Sequence, residues 1–401
     1  MKKLQLLNGC IASILLVMLF MTVGSSPVMA GDKLCTDPKW ADHPACADDP
    51  VDPPPDPDPD PDDTCVNFSA PDYAFWRDAR TKGKDRMAQV AVYVAESDTG
   101  CEAKLLDIPL PEGPIDDLKL TFSSVVVDEV FSGRIVWRRK IADDAYAVWK
   151  HDFIIDDGSV VGTGGPKRIM ENTGAEHLRI YDLDLSPDTK SLVYRLVEYD
   201  ERPYYSVSSI RKVEIAECVN ALCKFDQETP IYFVEDTPDT VLSLRSPVWG
   251  PFGTRIFFVE REDDFFYLKA IDSSVQNPKT LYTFLGDAEQ GGIRDIASGL
   301  GHGWPVSTEY IAIAIGNFYT HGCARIYSLD VTNCDLGTCV FNYETAGTFP
   351  SWTKDGKLIH VSHGLTIRSL DNCKVDTIGL WDGTNLRTIT KGWEPAAAGG
   401  G

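Results

Sequence analysis

The segment Leu185-Ser-Pro-Asp-Thr-Lys-Ser-Leu-Val-Tyr194 decides the fold, because it joins a Pro-Asp turn to an apolar, β-prone run. Proline presets φ for the second position of a turn, and Asp or Gly suits the positions that follow. Two other segments repeat the pattern: Val248-Trp-Gly-Pro-Phe-Gly-Thr-Arg-Ile-Phe-Phe-Val259 and Ser351-Trp-Thr-Lys-Asp-Gly-Lys-Leu-Ile-His-Val361. A repeated turn-and-strand unit is typical of radially stacked β-sheets.

Weaker copies appear when the first strand residue after each turn is aligned. The six anchors obtained in this way are Val90, Ile135, Leu192, Ile256, Ile311 and Leu358. Their separations are 45, 57, 64, 55 and 47 residues, whereas blades of four strands need roughly 40–50 residues, so the longer gaps leave room for loop insertions. The sequence therefore predicts an all-β chain forming a β-propeller of six four-stranded blades, with five or seven as the neighbouring counts. The alternative is a pair of β-sandwiches whose turns are similar by chance.

The repeated segments resemble the TolB-like β-propeller repeat family, whose pattern is an aromatic residue, Ser-Pro-Asp-Gly, a basic residue and an apolar strand. Ser186-Pro-Asp188 matches best, with Thr189 where Gly is usual. The segment 250–253 keeps Pro and Gly, and the segment 354–356 keeps Asp-Gly. The resemblance extends in weak form over about residues 70–392. It implies a binding or docking module, which in that family is sometimes attached to a hydrolase.

The N-terminus has the organisation of a secretory signal peptide. Met1-Lys-Lys precedes an apolar stretch around Ile11–Val23, and the small residue Ala30 ends the segment. Cleavage after Ala30 is expected. The alternative is an uncleaved membrane anchor, which needs a longer apolar run of roughly 20 residues. The sequence therefore predicts a periplasmic or extracellular protein with no membrane span after cleavage.

Cysteine usage also favours export. Removing the signal leaves ten cysteines, and an even number in an exported protein indicates disulfides. They are Cys35, Cys46, Cys65, Cys101, Cys218, Cys223, Cys323, Cys334, Cys339 and Cys373. Local pairing suggests the bonds Cys35–Cys46, Cys65–Cys101, Cys218–Cys223, Cys323–Cys334 and Cys339–Cys373, with the order among the last four open. Metal binding is the rival interpretation, but the sequence has no Cys-x-x-Cys pair.

Composition divides the chain into five predicted parts. These are a signal peptide at 1–30, a small Cys-containing segment at 31–46, an Asp/Pro-rich linker at 47–64, the propeller at 65–392 and a flexible tail at 393–401. Alternating Pro and Asp block helix and sheet, so we expect the linker to be disordered and extended. A solvated spacer is favoured over a calcium site, because the linker lacks the spaced ligands and the Gly of an EF-hand loop.

The charge of the chain limits its partners. The formal net charge is −22, and it becomes −24 without residues 1–30. Such acidity disfavours nucleic acid and permits cationic or basic partners. We expect the partner to be another exported or envelope protein, and a homo-oligomer is the second option.

Motifs for chemistry are weak in this sequence. No Gly-x-Ser-x-Gly nucleophile elbow occurs, and Gly299-Leu-Gly-His-Gly303 carries His302 where such an elbow has Ser. His302 and His321 flank the fifth predicted blade and are weak candidates for a metal site, since some polysaccharide lyases hold a metal through histidines on a propeller. No cofactor is expected.

Three functions stay open at this level. The first, which we favour, is a non-catalytic scaffold that binds a protein or a ligand. The second is a subunit of a cell-surface assembly docked through residues 31–64. The third is a metal-assisted polysaccharide lyase or hydrolase.

Overall fold

The computed structural model describes most of the chain from Phe68 onward. The described ranges are 68–78, 89–109, 118–142, 145–171, 177–199, 206–220, 222–225, 230–237, 240–272, 277–286, 291–301, 308–316, 324–335, 338–363, 375–391 and 393–397. All of them belong to the second of the chain's two units, Pro61–Gly401. The predicted signal peptide, the segment 31–46 and the linker 47–64 lie outside the described residues.

Strands dominate the described chain, which confirms the predicted all-β class. In its first half they are β1 (Tyr73–Asp78), β2 (Gln89–Ala95), β3 (Glu102–Pro109), β4 (Lys119–Val127), β5 (Val130–Ala142), β6 (Ala145–Asp156), β7 (Ser159–Gly162), β8 (Lys167–Glu171), β9 (Leu178–Leu185), β10 (Ser191–Tyr199), β11 (Ser206–Glu214), β12 (Cys223–Lys224) and β13 (Pro230–Glu235). In its second half they are β14 (Leu242–Trp249), β15 (Arg255–Glu262), β16 (Phe265–Asp272), β17 (Lys279–Leu285), β18 (Gly292–Gly299), β19 (Tyr310–Gly316), β20 (Ala324–Asp330), β21 (Phe341–Trp352), β22 (Leu358–His363), β23 (Val375–Trp381), β24 (Leu386–Lys391) and β25 (Trp393–Ala397). Two short helices, α1 (Ile215–Asn220) and α2 (Val331–Asp335), lie in connections between strands.

Mostly antiparallel sheets follow one another along the chain. The first four have the orders β25-β1-β2-β3, β12-β8-β6-β5-β4 with β7 beside β6, β13-β11-β10-β9, and β14-β15-β16-β17. The last runs from β18 to β24 and divides at β21, which pairs with β20 through Phe341–Ala346 and with β22 through Gly347–Trp352. Strand β21 is therefore the outermost strand of a fifth group and the innermost strand of a sixth.

Six strands, one from each group, surround a central channel. In order around the channel they are β4, β9, β14, β18, β21 and β25, and β25 packs against β4. Backbone pairing stays within each sheet, so the ring is held by packing between sheets. The channel side of each inner strand is an unpaired edge, which is where proline is tolerated because it has no N–H to donate. Pro247, Pro350 and Pro395 lie on these edges.

The core consists of apolar clusters between neighbouring sheets, so a strand inside a sheet, such as β10, buries side chains on both faces. Val136 and Leu192, for example, pack in the cluster between the second and third sheets. Another cluster joins the last group to the first sheet, where Phe75 of β1 packs with Ile359 of β22. Such clusters fix the angular order of the sheets and so hold the six inner strands in place.

The turns that follow the inner strands have the predicted chemistry. The Ser186 hydroxyl donates to Asp188 Oδ1 at 2.6 Å and accepts from the Ser191 N–H at 2.9 Å. Thr353 repeats this arrangement, donating to Asp355 and accepting from the Lys357 N–H at 2.9 Å. These bonds close the hairpins at the two predicted turns, Ser186-Pro-Asp-Thr189 and Lys354-Asp-Gly-Lys357. We call the end of the ring that carries these turns and the turn 250–254 the turn face.

Five of the six sequence anchors lie on the strand next to the inner one, namely Ile135, Leu192, Ile256, Ile311 and Leu358. Val90 does not, because it lies on β2, the third strand of its sheet counted from the channel. The equivalent strand is β1, which follows Pro71-Asp72. The alignment slipped by one strand because the innermost strand of this sheet comes from the other end of the described chain.

The prediction of a flexible tail at 393–401 is wrong for residues 393–397, because they form this innermost strand. Residues Trp393–Ala397 form β25, which pairs antiparallel with β1, Tyr73 opposite Ala397. The backbone pairing, together with contacts to β4 and β21, fixes a segment whose composition alone predicted flexibility. The sheet structure therefore extends to Ala397.

Two disulfides lie among the described residues. Cys218 bonds Cys223 across the end of α1, the local pair predicted from spacing. Cys334 bonds Cys339, so the predicted pairs Cys323–Cys334 and Cys339–Cys373 are wrong. The reason is local: α2 ends at Asp335, and the chain after it returns Cys339 to Cys334 with the two Cα atoms 4.2 Å apart. Cys101 is also disulfide-bonded, to a partner outside the described residues.

Candidate functional site

A polar cavity of about 140 Å³ occupies the channel, and all six inner strands contribute to its wall. Four charged side chains line it: Lys119 of β4, Asp182 and Asp184 of β9, and Asp295 of β18. The wall also includes Thr121, Ser123, Ser246, Ser298, Phe349 and Ser351. Hydroxyls, carboxylates and one aromatic ring therefore face a space that holds only a few water molecules.

Strand β9 places two carboxylates in the channel by simple alternation. Leu183 and Leu185 are buried in the core cluster between the second and third sheets. Successive side chains of a strand point to opposite sides, so Asp182 and Asp184 lie on the side away from this cluster, and both line the cavity. The Asp-Leu-Asp-Leu run therefore belongs to both the core and the channel wall.

The carboxyl group of Asp184 is held by neutral donors. The Thr121 hydroxyl donates to Oδ1 at 2.9 Å, and the Trp249 N–H donates to Oδ2 at 2.8 Å. Burial raises the pKa of Asp184 to about 6, although these hydrogen bonds act in the opposite direction. Asp184 therefore changes its protonation state near pH 6.

The carboxyl group of Asp182 has cationic neighbours. Its Oδ2 lies 3.6 Å from Arg195 Nη1 and accepts the Ser246 N–H at 3.0 Å. Burial opposes ionisation, but the charges of Arg195 and Lys119 outweigh it, so the pKa of Asp182 lies below its ordinary value. Asp182 is therefore a carboxylate at neutral pH.

The carboxyl group of Asp295 has no hydrogen bond or ion pair with any residue that the structure describes. Burial raises its pKa and the charge of Asp182 raises it further, whereas the charges of Lys119, Arg294 and Arg245 lower it. The Lys119 ammonium lies 4.6 Å from the centroid of the Phe349 ring. Asp295 is thus a channel carboxyl that several charged groups influence without a hydrogen bond or ion pair to it among the described residues.

Two wall residues have strained backbones. Ser246 has φ of 45° and Phe349 has φ of 50°, the left-handed region that non-glycine residues seldom adopt. Each precedes a proline, and each lies where the pairing register of its strand shifts. The shifts allow the inner strands to bend around the channel, and strain of this kind is frequent at binding sites.

A second pocket, of about 610 Å³, opens on the turn face. Phe252, which is 46% exposed, lines it together with Val125, Pro187, Lys212 and Trp249. The Trp249 indole N–H is buried without a hydrogen-bond partner in the described part of the chain. Pro187 and Trp249 line both pockets, so the turn face and the channel share part of their walls.

The sequence-predicted metal candidates cannot be compared with this geometry, because His302 and His321 lie outside the described residues. Within the described ranges, no group of three or more His, Cys, Asp or Glu side chains is placed to hold a metal ion. The helices described are also too short and too polar to cross a membrane.

Sequence reasoning missed the four charged residues of the channel. Asp182 and Asp184 could have been found, because they alternate with leucines directly before the Ser-Pro-Asp turn. Lys119 and Asp295 lie in strands with weaker turn signals, and only the ring of six inner strands brings them to the same cavity.

Comparisons with known proteins give structural likeness only. No protein-family model and no curated protein matches the sequence. Among solved structures, TolB from Acinetobacter baumannii is 13% identical, with a TM-score of 0.47 over 83% of this chain and 67% of that one. A nidogen/laminin complex is 10% identical, with a TM-score of 0.47 over 81% of this chain and 98% of that one. An oligogalacturonate lyase in complex with manganese is 10% identical, with a TM-score of 0.38 over 79% of this chain and 78% of that one. Such values assign the chain to no family and support no function.

Proposed function

We propose that this protein is an exported, six-bladed β-propeller that acts as a non-catalytic binding scaffold. The observation that carries the proposal is the convergence of six inner strands, one from each group, on one polar cavity. Propellers use such a ring as a rigid frame for a site formed by several blades. The two disulfides fit an exported protein, in which the predicted signal would be cleaved after Ala30.

The partner we propose is another exported or envelope protein that sits on the turn face. Exposed apolar side chains on the β4–β5 hairpin, Val126 and Val127, adjoin the pocket lined by Val125 and Phe252. Apolar groups next to a pocket are typical of protein contacts. The turn face therefore offers both an apolar contact area and an entrance to the channel.

Site-specific photo-cross-linking in the source organism tests this proposal. A benzoylphenylalanine in place of Phe252 reports on the turn face, and the same group in place of Thr280, exposed on the outer strand β17, is the matched control. We expect one exported protein to be captured from position 252 and not from position 280. Equal capture from both positions would contradict the proposed face. Turnover of any member of a broad glycan and peptide panel by the purified protein would contradict the non-catalytic role.

A further inference from the structure

The second sheet is longer than the third and projects past the turn face. Ser123 and Arg134 are paired across β4 and β5, and both contact the turn that ends β9. The Ser123 hydroxyl donates to Pro187 O at 3.1 Å, and the Arg134 guanidinium donates to Thr189 O. Strands β4, β5, β6 and β7 continue beyond this turn, where the third sheet ends. The face of the second sheet that packs on the third sheet therefore has no described strand of that sheet opposite it here.

Branched apolar side chains cover this part of the second sheet. Directly paired residues lie on the same face of a sheet, so the register defines two rows of side chains that we call the projecting face. They are Val125, Ser132, Ile154 and Val161 in the first row, and Val127 and Val130 in the second. Val127, Val130 and Val161 are 58%, 47% and 43% exposed. None of the six residues belongs to a core cluster of the described chain, whereas Phe131 and Phe153 on the opposite face are buried in one.

The rim of the projecting face is acidic. Four exposed acidic side chains lie at its β4–β5 and β6–β7 turns, namely Asp128, Glu129, Asp156 and Asp157. Residues 125–132 and 153–162, which form this end of the sheet, contain no Lys or Arg. An apolar face with one sign of charge at its rim is complementary to a segment whose apolar side chains are flanked by basic ones.

We propose that the projecting face docks a basic amphipathic helix of the protein partner. The proposal rests on the proposed function and names the surface and the kind of segment that the partner brings to it. Neighbouring strands lie about 4.8 Å apart, so four strands span about 14 Å. Apolar residues from i to i+7 of a helix span about 10 Å, which fits this width. The backbones of β5 and β6 pair on both sides within the sheet, so the face offers side chains and no free strand edge.

The pocket on the turn face provides a place for an anchoring side chain. Val125 belongs to the projecting face and also lines the pocket of about 610 Å³, together with Phe252. A large apolar side chain of the helix would fill this pocket. Charge disfavours two other occupants, because a second copy of the face and the Asp/Pro-rich segment 47–64 would both bring acidic side chains to an acidic rim.

Fluorescence anisotropy with a labelled Leu/Lys peptide tests this surface on the full disulfide-bonded protein. The peptide has about 18 residues in an amphipathic helical pattern, which is long enough to form a helix. We expect one peptide per protein, at least tenfold weaker binding to Val127→Asn, and unchanged binding to Val241→Asn. Val241 is the matched control, because it is 53% exposed and precedes β14 at the end of the ring opposite the turn face. Val127→Ile keeps the apolar surface and should bind within a few-fold of the wild type, which separates loss of the face from loss of the fold.

The contribution of the rim is measured with two pairs of substitutions. Asp128→Asn with Glu129→Gln should weaken peptide binding several-fold at low salt and less at high salt, because salt screens exposed charges. Asp263→Asn with Asp264→Asn, on the exposed β15–β16 turn, removes the same charge elsewhere and should leave binding unchanged. Equal effects of the two pairs would contradict the inference, since the net charge of the protein alone would then attract the peptide.

Three further results overturn the inference. They are no binding of the peptide to the wild type, equal binding to Val127→Asn and the wild type, and equal binding of a scrambled Leu/Lys peptide without the helical period. Sedimentation that shows a dimer dispersed by Val127→Asn would assign the face to a second copy and would also overturn it. Failure of peptide binding leaves the cross-linking result at position 252 untouched, so the two proposals can fail separately.

Discussion

Asp182 and Asp184 lie two residues apart on one strand and line one channel, yet their pKa values are shifted in opposite directions from the ordinary value of an aspartate. Burial disfavours the charged form of both. Asp182 has Arg195 and Lys119 nearby and ionises more readily than usual, whereas Asp184 has only neutral donors and ionises near pH 6. The comparison shows that the nearby cations, and not burial alone, decide which carboxyl is charged. These two residues therefore give the channel wall one fixed negative charge and one that depends on pH.

The largest effect is expected when the charge of Asp182 is removed. Asp182→Asn keeps an acceptor for the Ser246 N–H but leaves Arg195, whose side chain is 16% exposed, without its counter-charge. We expect the free energy of unfolding at pH 7.5 to fall by about 1–3 kcal/mol, because an unpaired, partly buried cation is costly. Denaturant unfolding measures this loss, and Asp264→Asn is the control for removal of one exposed charge. An unchanged midpoint would mean that Arg195 does not depend on Asp182.

Asp184→Asn should have the opposite effect on stability: we expect it to raise the free energy of unfolding at neutral pH. The folded-state pKa of about 6 lies above the unfolded value, so protonation stabilises the fold below the unfolded pKa and this contribution is lost as pH rises through 6. An amide imitates the neutral acid, so the variant should be more stable than the wild type by about 1–2 kcal/mol at pH 7.5. The difference should shrink as pH falls through 6 and disappear only below the unfolded value of 3.8.

Unfolding curves of wild type and Asp184→Asn at a series of pH values give this difference directly. Subtracting the two curves removes the contributions of other titrating groups, such as Asp72, whose pKa burial also raises to about 6. A loss of stability in Asp184→Asn at pH 7.5 would show that the Thr121 and Trp249 donors need a carboxylate, and it would contradict the comparison.

The smallest effect concerns the turn that directly follows these two carboxylates. Thr189 has φ of 63°, whereas the equivalent positions are Gly253 with φ of 68° and Gly356 with φ of 78°. A β-branched residue is strained there, so Thr189→Gly should stabilise the protein by about 0.5–1 kcal/mol at every pH. Because this gain is independent of pH, it separates backbone strain from the electrostatic difference between Asp182 and Asp184. The reverse change, Gly356→Thr, should destabilise, and equal denaturation midpoints in all three proteins would contradict the assignment of strain.

The turn chemistry made most of the fold predictable. Ser186, Asp188 and Asp355 form the hydrogen bonds that their residue types favour, so five strands next to the inner ones were found from sequence. The first sheet was misaligned because its innermost strand is distant in sequence from its other strands. Cys334–Cys339 was missed because spacing alone does not show that a helix ends between the two cysteines.

The candidate site was much less predictable, for a geometric reason. Lys119, Asp182 and Asp295 meet only because three inner strands from different sheets lie around one channel. Local sequence gives the face on which a side chain lies, but not its neighbours across a ring. The alternation of Asp182 and Asp184 with leucines indicates on which side of the strand the two carboxyl groups lie. It does not indicate which charged groups surround them.

The pairing of β25 with β1 has a consequence for the order of events during folding. Tyr73 pairs with Ala397, so the first sheet can be completed only after nearly the whole described chain is available. Contacts between such distant segments carry a large entropic cost and form late. Until then β1 is an unprotected edge, which is prone to pair with other chains. A chain that crosses a membrane N-terminus first would remain vulnerable to aggregation until its last strand arrives, and ring closure would be the step that ends this period.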